Sequence, residues 1–122
     1  MNLLLHSPRF DRDEEELLQV TCHHSVHIVR TPEELRLQLS QAPGGDDAAV
    51  VILLISDMKD LEKLVAVRDY LADKELILVL PEEDGEFLAK GHCLRPRYFG
   101  FRGGNFEDVA EVLARIQARN IH

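Results

Sequence analysis

The chain has 122 residues, the size of one ordinary globular domain, so we expect a single domain over residues 1–122. Acidic residues outnumber lysine and arginine by 22 to 14, and the formal net charge of −8 argues against a nucleic-acid-binding or anionic-membrane surface, because both require basic patches. The sequence has no apolar run of the roughly 18 residues that a transmembrane helix needs, and no basic signal-peptide segment precedes Leu3.

The first helix and strand signals alternate along the chain. Asn2–His6 contains three consecutive leucines and predicts a short interior strand. Ser7-Pro8 is a helix-start signal, and the helix predicted over residues 11–22 should place the acidic residues 13–16 mostly outside. The apolar face of this helix should carry Phe10, Leu17, Leu18 and Thr21.

A second strand and helix follow. Residues 25–30 alternate apolar and polar side chains and predict a more exposed strand. Thr31, Pro32 and Glu34 form a capping box, which predicts that a helix begins here and carries Leu35 and Leu39. Residues 42–47 (APGGDD) predict a turn-rich loop.

The stretch AAVVILLISD, residues 48–57, predicts a strand buried on both faces, with residues 49–55 at the centre of the sheet. Leucine and valine at helical spacing predict a helix from Lys59 to Ala72, and residues 76–80 (LILVL) predict a second fully apolar strand. The remaining predictions are a helix over residues 85–93, a strand over residues 96–101, a break at Gly103-Gly104, and a helix that is capped by Asn105 and packs through Val109, Val112, Leu113 and Ile116.

Five strands alternating with five helices predict an α/β fold with a doubly wound parallel sheet between two helical layers, as in flavodoxin-like proteins. The apolar strands one, three and four should lie inside, which gives the order 2-1-3-4-5 with a switch point between strands one and three. Ligands of such sheets bind beyond the carboxyl ends of the strands. Ser7 and Asp57 should therefore lie at the mouth of any site.

This layout resembles the receiver domain of bacterial response regulators over essentially the whole chain. The segment LAKGHCLRPRYFGFRGGNFEDVAEVLARI is similar to the fourth helix, fifth strand and fifth helix of that family. The resemblance implies an aspartate phosphorylated after strand three, with Mg²⁺ held by an acidic pair after strand one. It also implies a hydroxyl residue after strand four and a lysine after strand five.

Matched position by position, the sequence departs from that pattern. His6, Ser7 and Pro8 occupy the place of the acidic pair, while Pro81 stands at the hydroxyl position and Arg102 at the lysine position. Asp57 alone keeps its identity, so we predict a degenerate receiver whose vestigial site is Ser7, Asp57, Pro81 and Arg102, with no catalytic residue, metal or cofactor. Asp57 is then expected to cap the next helix, or to pair with Arg102.

Receivers commonly self-associate and dock partners through helix four, strand five and helix five. The resemblance therefore predicts a protein partner, or a homodimer, at a face that carries Phe99, Phe101, Ala110, Glu111, Ala114 and Arg115. The exposed side of the last helix should be low and flat there, with an i,i+4 pair between Glu111 and Arg115. The structural alternative is that the alanines favour the helix and the aromatics fill a thin core.

Two other functions stay open. One is a working phosphoacceptor that uses Asp57 with Asp11 or Asp13, although both of these acids should lie within the first helix. The other is a small flavodoxin-like domain that binds a ligand near Ser7 and Asp57, which the lack of a glycine-rich loop after strand one disfavours.

The remaining candidate residues have structural interpretations. His23, His24 and His27 are interpreted as structural or surface histidines, because no carboxylate nearby completes a metal site. Cys22 and Cys93 lie far apart in no metal-binding spacing, which predicts buried, reduced thiols in a cytoplasmic protein.

Overall fold

The computed structural model describes residues 2–40 and 50–120, and in it five parallel strands form one sheet in the order 2-1-3-4-5. The strands are β1 (Asn2–His6), β2 (Ser25–Val29), β3 (Val50–Leu54), β4 (Glu75–Leu80) and β5 (Tyr98–Phe101). The helices are α1 (Arg12–Val20), α2 (Pro32–Ser40), α3 (Met58–Ala66), α4 (Gly85–His92) and α5 (Glu107–Asn120), with a 3₁₀ turn over Arg68–Tyr70. The predicted fold class and strand order are confirmed. The predicted loop at residues 42–47 lies outside the described residues.

The core has two halves, one on each face of the sheet. Alternate strand residues such as Val51 and Leu53 pack beneath α2, α3 and α4, while their neighbours, such as Ile52, pack beneath α1 and α5. All five residues of β3 are buried, as an unbroken apolar run predicts for a strand covered on both sides. Among the described helices, none combines the length and the apolarity that crossing a bilayer requires.

The start of α1 differs from the prediction. Ser7 does not open the helix, because its backbone N–H still donates to Val29 in continuation of the sheet and its hydroxyl donates to the Arg9 carbonyl. The helix begins at Arg12, and the Asp11 side chain caps it by accepting from the Glu14 N–H at 3.0 Å. Phe10 therefore precedes the helix, and it is 68% exposed instead of packing on the apolar face.

Glu14 was predicted to point outward, but it is buried. Its carboxylate pairs with the Arg30 guanidinium, which also donates to the Ser7 carbonyl at 3.3 Å. A buried carboxylate is tolerated when such a partner compensates its charge.

The two cysteines, Cys22 and Cys93, were predicted to be buried. Both thiols are free as predicted, but both are exposed.

The other element ends agree with the prediction or are shifted by up to six residues. The α2 prediction holds, since Thr31 Oγ1 accepts from the Glu34 N–H at 3.1 Å. By contrast, α3 ends at Ala66, six residues before the predicted end, because the chain tightens into the 3₁₀ turn, yet Leu71 stays buried. Likewise, β5 begins at Tyr98 instead of residue 96, and α5 begins at Glu107, whose N–H donates to the Asn105 side chain at 3.2 Å.

The burial of β3 makes a direct test of the fold possible. Ile52 is 1% exposed, so Ile52→Asp places an unpaired charge in the core. This substitution should abolish cooperative folding, because the cost is several kcal/mol against a total stability of roughly 5–15 kcal/mol. Circular dichroism during urea unfolding measures the outcome. Ile52→Val is the matched control and should remain folded with a loss of about 1 kcal/mol. A soluble, cooperatively folded Ile52→Asp variant would show that the strand is not buried.

Candidate functional site

The carboxyl ends of the strands meet at one edge of the sheet, as parallel pairing requires. Ser7 follows β1, Asp57 lies three residues after β3, Pro81 follows β4 directly and Arg102 follows β5 directly. We call the polar side chains at this edge the strand-end site. It consists of Ser7, Asp11, Asp13, Ser56, Asp57, Asp60 and Arg102.

Arg102 is the centre of the strand-end site. Its Nε donates to the Ile55 carbonyl oxygen at 2.6 Å, and its Nη1 donates to carboxylate oxygens of Asp11 and Asp13 at 3.1 and 3.0 Å. Its Nη2 lies 3.4 Å from the Ser56 hydroxyl. The Arg102 side chain is only 14% exposed, so these charge-assisted contacts are screened less than a surface ion pair. A single guanidinium thus connects the loops that follow β1 and β3 to the end of β5.

Asp11 and Asp13 were predicted to lie within the first helix. In the structure Asp13 lies in the first turn of α1 and Asp11 is the N-cap just before it, and both side chains reach Arg102. Asp13 also accepts from the Gly103 N–H at 3.0 Å. Partial burial by itself would raise the pKa of Asp11, but hydrogen bonds from the Glu14 N–H and the Arg102 guanidinium outweigh it and lower that pKa.

Asp57 is exposed and caps α3. Its carboxylate accepts from the Asp60 N–H at 2.8 Å, which is the capping role expected from its position after a strand. The alternative expectation, an ion pair with Arg102, is wrong, because the guanidinium reaches Asp11 and Asp13 instead.

Sequence reasoning missed Asp60. Its side chain accepts from the Ser56 N–H at 3.0 Å, so Asp57 and Asp60 satisfy backbone donors on either side of the helix start. Burial raises the pKa of Asp60 above its usual value and the Asp57 charge adds to that effect, while the hydrogen bond from Ser56 opposes it. The spacing Asp-x-x-Asp after a strand is the signal that could have revealed this arrangement.

His6 and Ser7 occupy the end of β1, and both are buried. Neither ring nitrogen of His6 has a hydrogen-bond partner among the described residues. Burial lowers the pKa of His6 from 6.5 to about 4, although Glu34 opposes the shift. The end of β1 therefore presents a neutral imidazole and a hydroxyl, and no carboxylate.

The predicted docking residues also have defined places. Phe99 and Phe101 are partly buried and pack against the core on the α4 side, where the ring of Phe99 contacts that of His92 edge to face at 4.9 Å between centroids. On the α5 part of this face, Ala110 is partly buried, and the exposed residues are Glu111, Ala114 and Arg115. The Glu111–Arg115 pair is present at 4.0 Å. In the described sheet, β5 pairs only with β4 and leaves one edge open.

The other candidate residues do not form a site. His23 and His27 are exposed and His24 is partly buried. Within residues 2–40 and 50–120, no three histidine, cysteine, aspartate or glutamate side chains are arranged to hold a metal ion together.

The buried imidazole of His6 predicts a pH-dependent stability. The pKa is 6.5 in the unfolded chain and about 4 in the folded one, so the unfolded state takes up the proton first as the pH falls. The free energy of unfolding is therefore not reduced by His6 above pH 6.5. It falls as the pH decreases from 6.5 to 4, and the loss is about 2 kcal/mol at pH 5. Urea unfolding at pH 7.5 and pH 5 should show a smaller loss in His6→Leu than in the wild type. His27→Gln, at an exposed histidine, should behave as the wild type. Equal losses in all three proteins would mean that His6 does not titrate in this way.

The chain is similar to known proteins in its fold. No family model matches the chain, and no curated protein matches it by sequence. Among solved structures, it is similar to a pilus assembly-related protein from Burkholderia pseudomallei, with 13% identity and a TM-score of 0.73 over 100% of this chain and 92% of the other.

Two other similar structures are those of a receiver domain and of a response regulator. The chain is similar to the BeF3-activated DrrB receiver domain, with 16% identity and a TM-score of 0.72 over 97% of each chain. It is also similar to the Mn²⁺-bound form of response regulator Rcp1, with 15% identity and a TM-score of 0.67 over 99% of this chain and 96% of the other. At these identities the likeness concerns the backbone, and the chain has the fold of response-regulator receiver domains.

Proposed function

We propose that this chain is a non-catalytic signalling or regulatory module that works by binding another protein and does not accept a phosphoryl group. The observation that carries the proposal is the state of the carboxylates at the strand-end site. Asp11 and Asp13 are bonded to Arg102, and Asp57 caps α3. No carboxylate in this set is left to bring a metal ion to Asp57.

The resemblance to receivers implies Mg²⁺, and the residues present do not fit it. Mg²⁺ prefers carboxylate oxygens and water in near-octahedral geometry. At the end of β1 the chain offers a buried imidazole and a hydroxyl, and the two nearby carboxylates face a guanidinium instead. Phosphoryl transfer depends on neutralising the charge of the transferred group, and no arginine or lysine of the described residues forms an ion pair with Asp57.

Incubation with Mg²⁺ and acetyl phosphate tests this part of the proposal. We expect the intact mass to stay unchanged, because Asp11 and Asp13 are bonded to Arg102 and are not free to hold a metal ion for the donor. Asp57→Asn is the matched control, since asparagine also caps a helix and should leave the fold intact. A gain of one phosphate in the wild type that disappears in Asp57→Asn would reverse the proposal and favour a phosphoacceptor that uses Asp11 or Asp13.

The working surface that we propose is the docking face formed by α4, β5 and α5. Phe99 and Phe101 are only partly covered, and the strand that carries them has an open edge. On α5, the exposed Ala114 presents a low surface, and the Glu111–Arg115 pair lies on the same helix. Rigid aromatics surrounded by polar groups are the usual anchors of protein interfaces. The partner is a second copy of the chain or another cytoplasmic protein, and the two free, exposed cysteines agree with a reducing compartment.

Ala114→Glu tests the docking face. Ala114 is exposed, so the stability should change by less than about 0.5 kcal/mol, while a new charge on the face should weaken association. Light scattering over a concentration series measures the dimer, and urea unfolding checks the fold. Ala66→Glu, at an exposed alanine of α3, is the control and should associate as the wild type does. If the wild type stays monomeric at high concentration and Ala114→Glu still binds every native partner, the face is not the working one.

A further inference from the structure

Four oxygen atoms converge on the Arg102 guanidinium. Two are carboxylate oxygens, from Asp11 and Asp13, at 3.1 and 3.0 Å from Nη1. The third is the backbone carbonyl oxygen of Ile55, at 2.6 Å from Nε, and the fourth is the hydroxyl of Ser56, at 3.4 Å from Nη2. They come from two separate parts of the chain, the start of α1 and the loop after β3, so this is an assembled cluster and not a local turn.

This set of oxygens is also one that a hard divalent cation accepts. Mg²⁺ and similar hard ions take oxygen ligands, and Mg²⁺ is usually bound through one or two carboxylates while it keeps several water molecules. The carboxylates of Asp11 and Asp13 are 29% and 20% exposed, so water can reach both of them. What prevents such binding is the guanidinium, which takes up the carboxylate oxygens and repels a second positive charge.

We propose that Arg102 is the permanent cation of the strand-end site and takes the place of a divalent metal ion there. With Arg102 in place, the strand-end site of the folded chain does not bind Mg²⁺ or Mn²⁺. When the guanidinium is removed, the oxygens of Asp11, Asp13 and Ile55 form a divalent-cation site. Asp13 keeps its bond from the Gly103 N–H in either state, which helps to hold its carboxylate at the edge.

An ordinary structural salt bridge is the competing explanation, and it predicts something different. If Arg102 only ties loops together, its removal loosens them and creates no affinity for any ion. If Arg102 takes the place of a metal ion, its removal leaves the oxygen ligands free to bind a divalent ion. Binding of that ion then stabilises the folded state. Metal-dependent stability in an arginine variant therefore separates the two explanations, and neither reading involves phosphorylation or partner binding.

The test uses Mn²⁺ as the probe, since bound and free Mn²⁺ are distinguished by electron paramagnetic resonance. In wild type, Mn²⁺ at about 5 mM should leave the midpoint of thermal unfolding unchanged and should show no site-bound signal. Arg102→Met keeps the aliphatic stem and removes the charge, and we expect it to bind Mn²⁺ at least about tenfold more tightly than wild type and to gain thermal stability with it.

Two controls define the site. Arg115→Met removes an arginine whose side chain is 74% exposed, and it should bind Mn²⁺ no better than wild type. The triple variant Arg102→Met, Asp11→Asn, Asp13→Asn should lose the acquired Mn²⁺ binding. Asparagine at position 11 still caps α1, so this variant removes charge without removing the cap.

Three results would overturn the proposal. If wild-type protein binds Mn²⁺ as tightly as Arg102→Met does, the guanidinium does not exclude a divalent ion from the site. A folded Arg102→Met variant that binds no better than Arg115→Met would leave Arg102 as a structural salt bridge. If Arg102→Met is unfolded without metal, Mn²⁺ should restore its far-ultraviolet circular dichroism, and failure to refold up to about 10 mM would equally refute the metal-substitute role.

Discussion

Burial of the central strands on both faces is the constraint from which the other features of this chain follow. All five residues of β3 are buried, and so are five of the six residues of β4, because helices cover both sides of the sheet. The buried positions of such a strand cannot carry an unpaired charged side chain. Charged groups are therefore displaced to the strand ends, where the loops after β1, β3 and β5 meet. Four aspartates collect at that edge, and Arg102 is the basic side chain that bonds two of them.

The fold could be predicted from the sequence because its determinants are local and repeated. Apolar runs marked the inner strands, and the alternation of strand and helix led to a parallel sheet with its order. Two proline-containing signals show where the prediction of a helix start succeeded and where it failed. Thr31-Pro32 opens α2 as expected, whereas Ser7-Pro8 does not open α1, because the Ser7 N–H is already used by Val29 and the working cap is Asp11. A dipeptide signal cannot report that its backbone donor is needed by a neighbouring strand.

The strand-end site was less accessible to sequence reasoning, since its key contacts join residues 89 and 91 positions apart. The position of Arg102 after β5 was predicted, but its partners depend on the path of the loop between Ser7 and Asp11. The residues directly after β1 include no acid, and this loop brings Asp11 and Asp13 to the edge of the sheet. Periodicity shows which side of a helix a residue occupies, and it is silent on which distant charge it meets. The burial of Glu14 against Arg30 was missed for the same reason.

The strand-end site and the proposed docking face share one segment of chain. Arg102 directly follows Phe101, so the guanidinium that bonds Asp11 and Asp13 also fixes the end of the strand that carries the aromatic side chains of the face. The next residue, Gly103, donates to Asp13 and has a φ of +92°, a backbone conformation that glycine adopts without strain. If the resident cation is covalently part of the chain, the connection between β5 and α5 is held in one state irrespective of metal or phosphate. The docking face would then be permanently presented, and regulation would have to act through the partner or through the amount of protein.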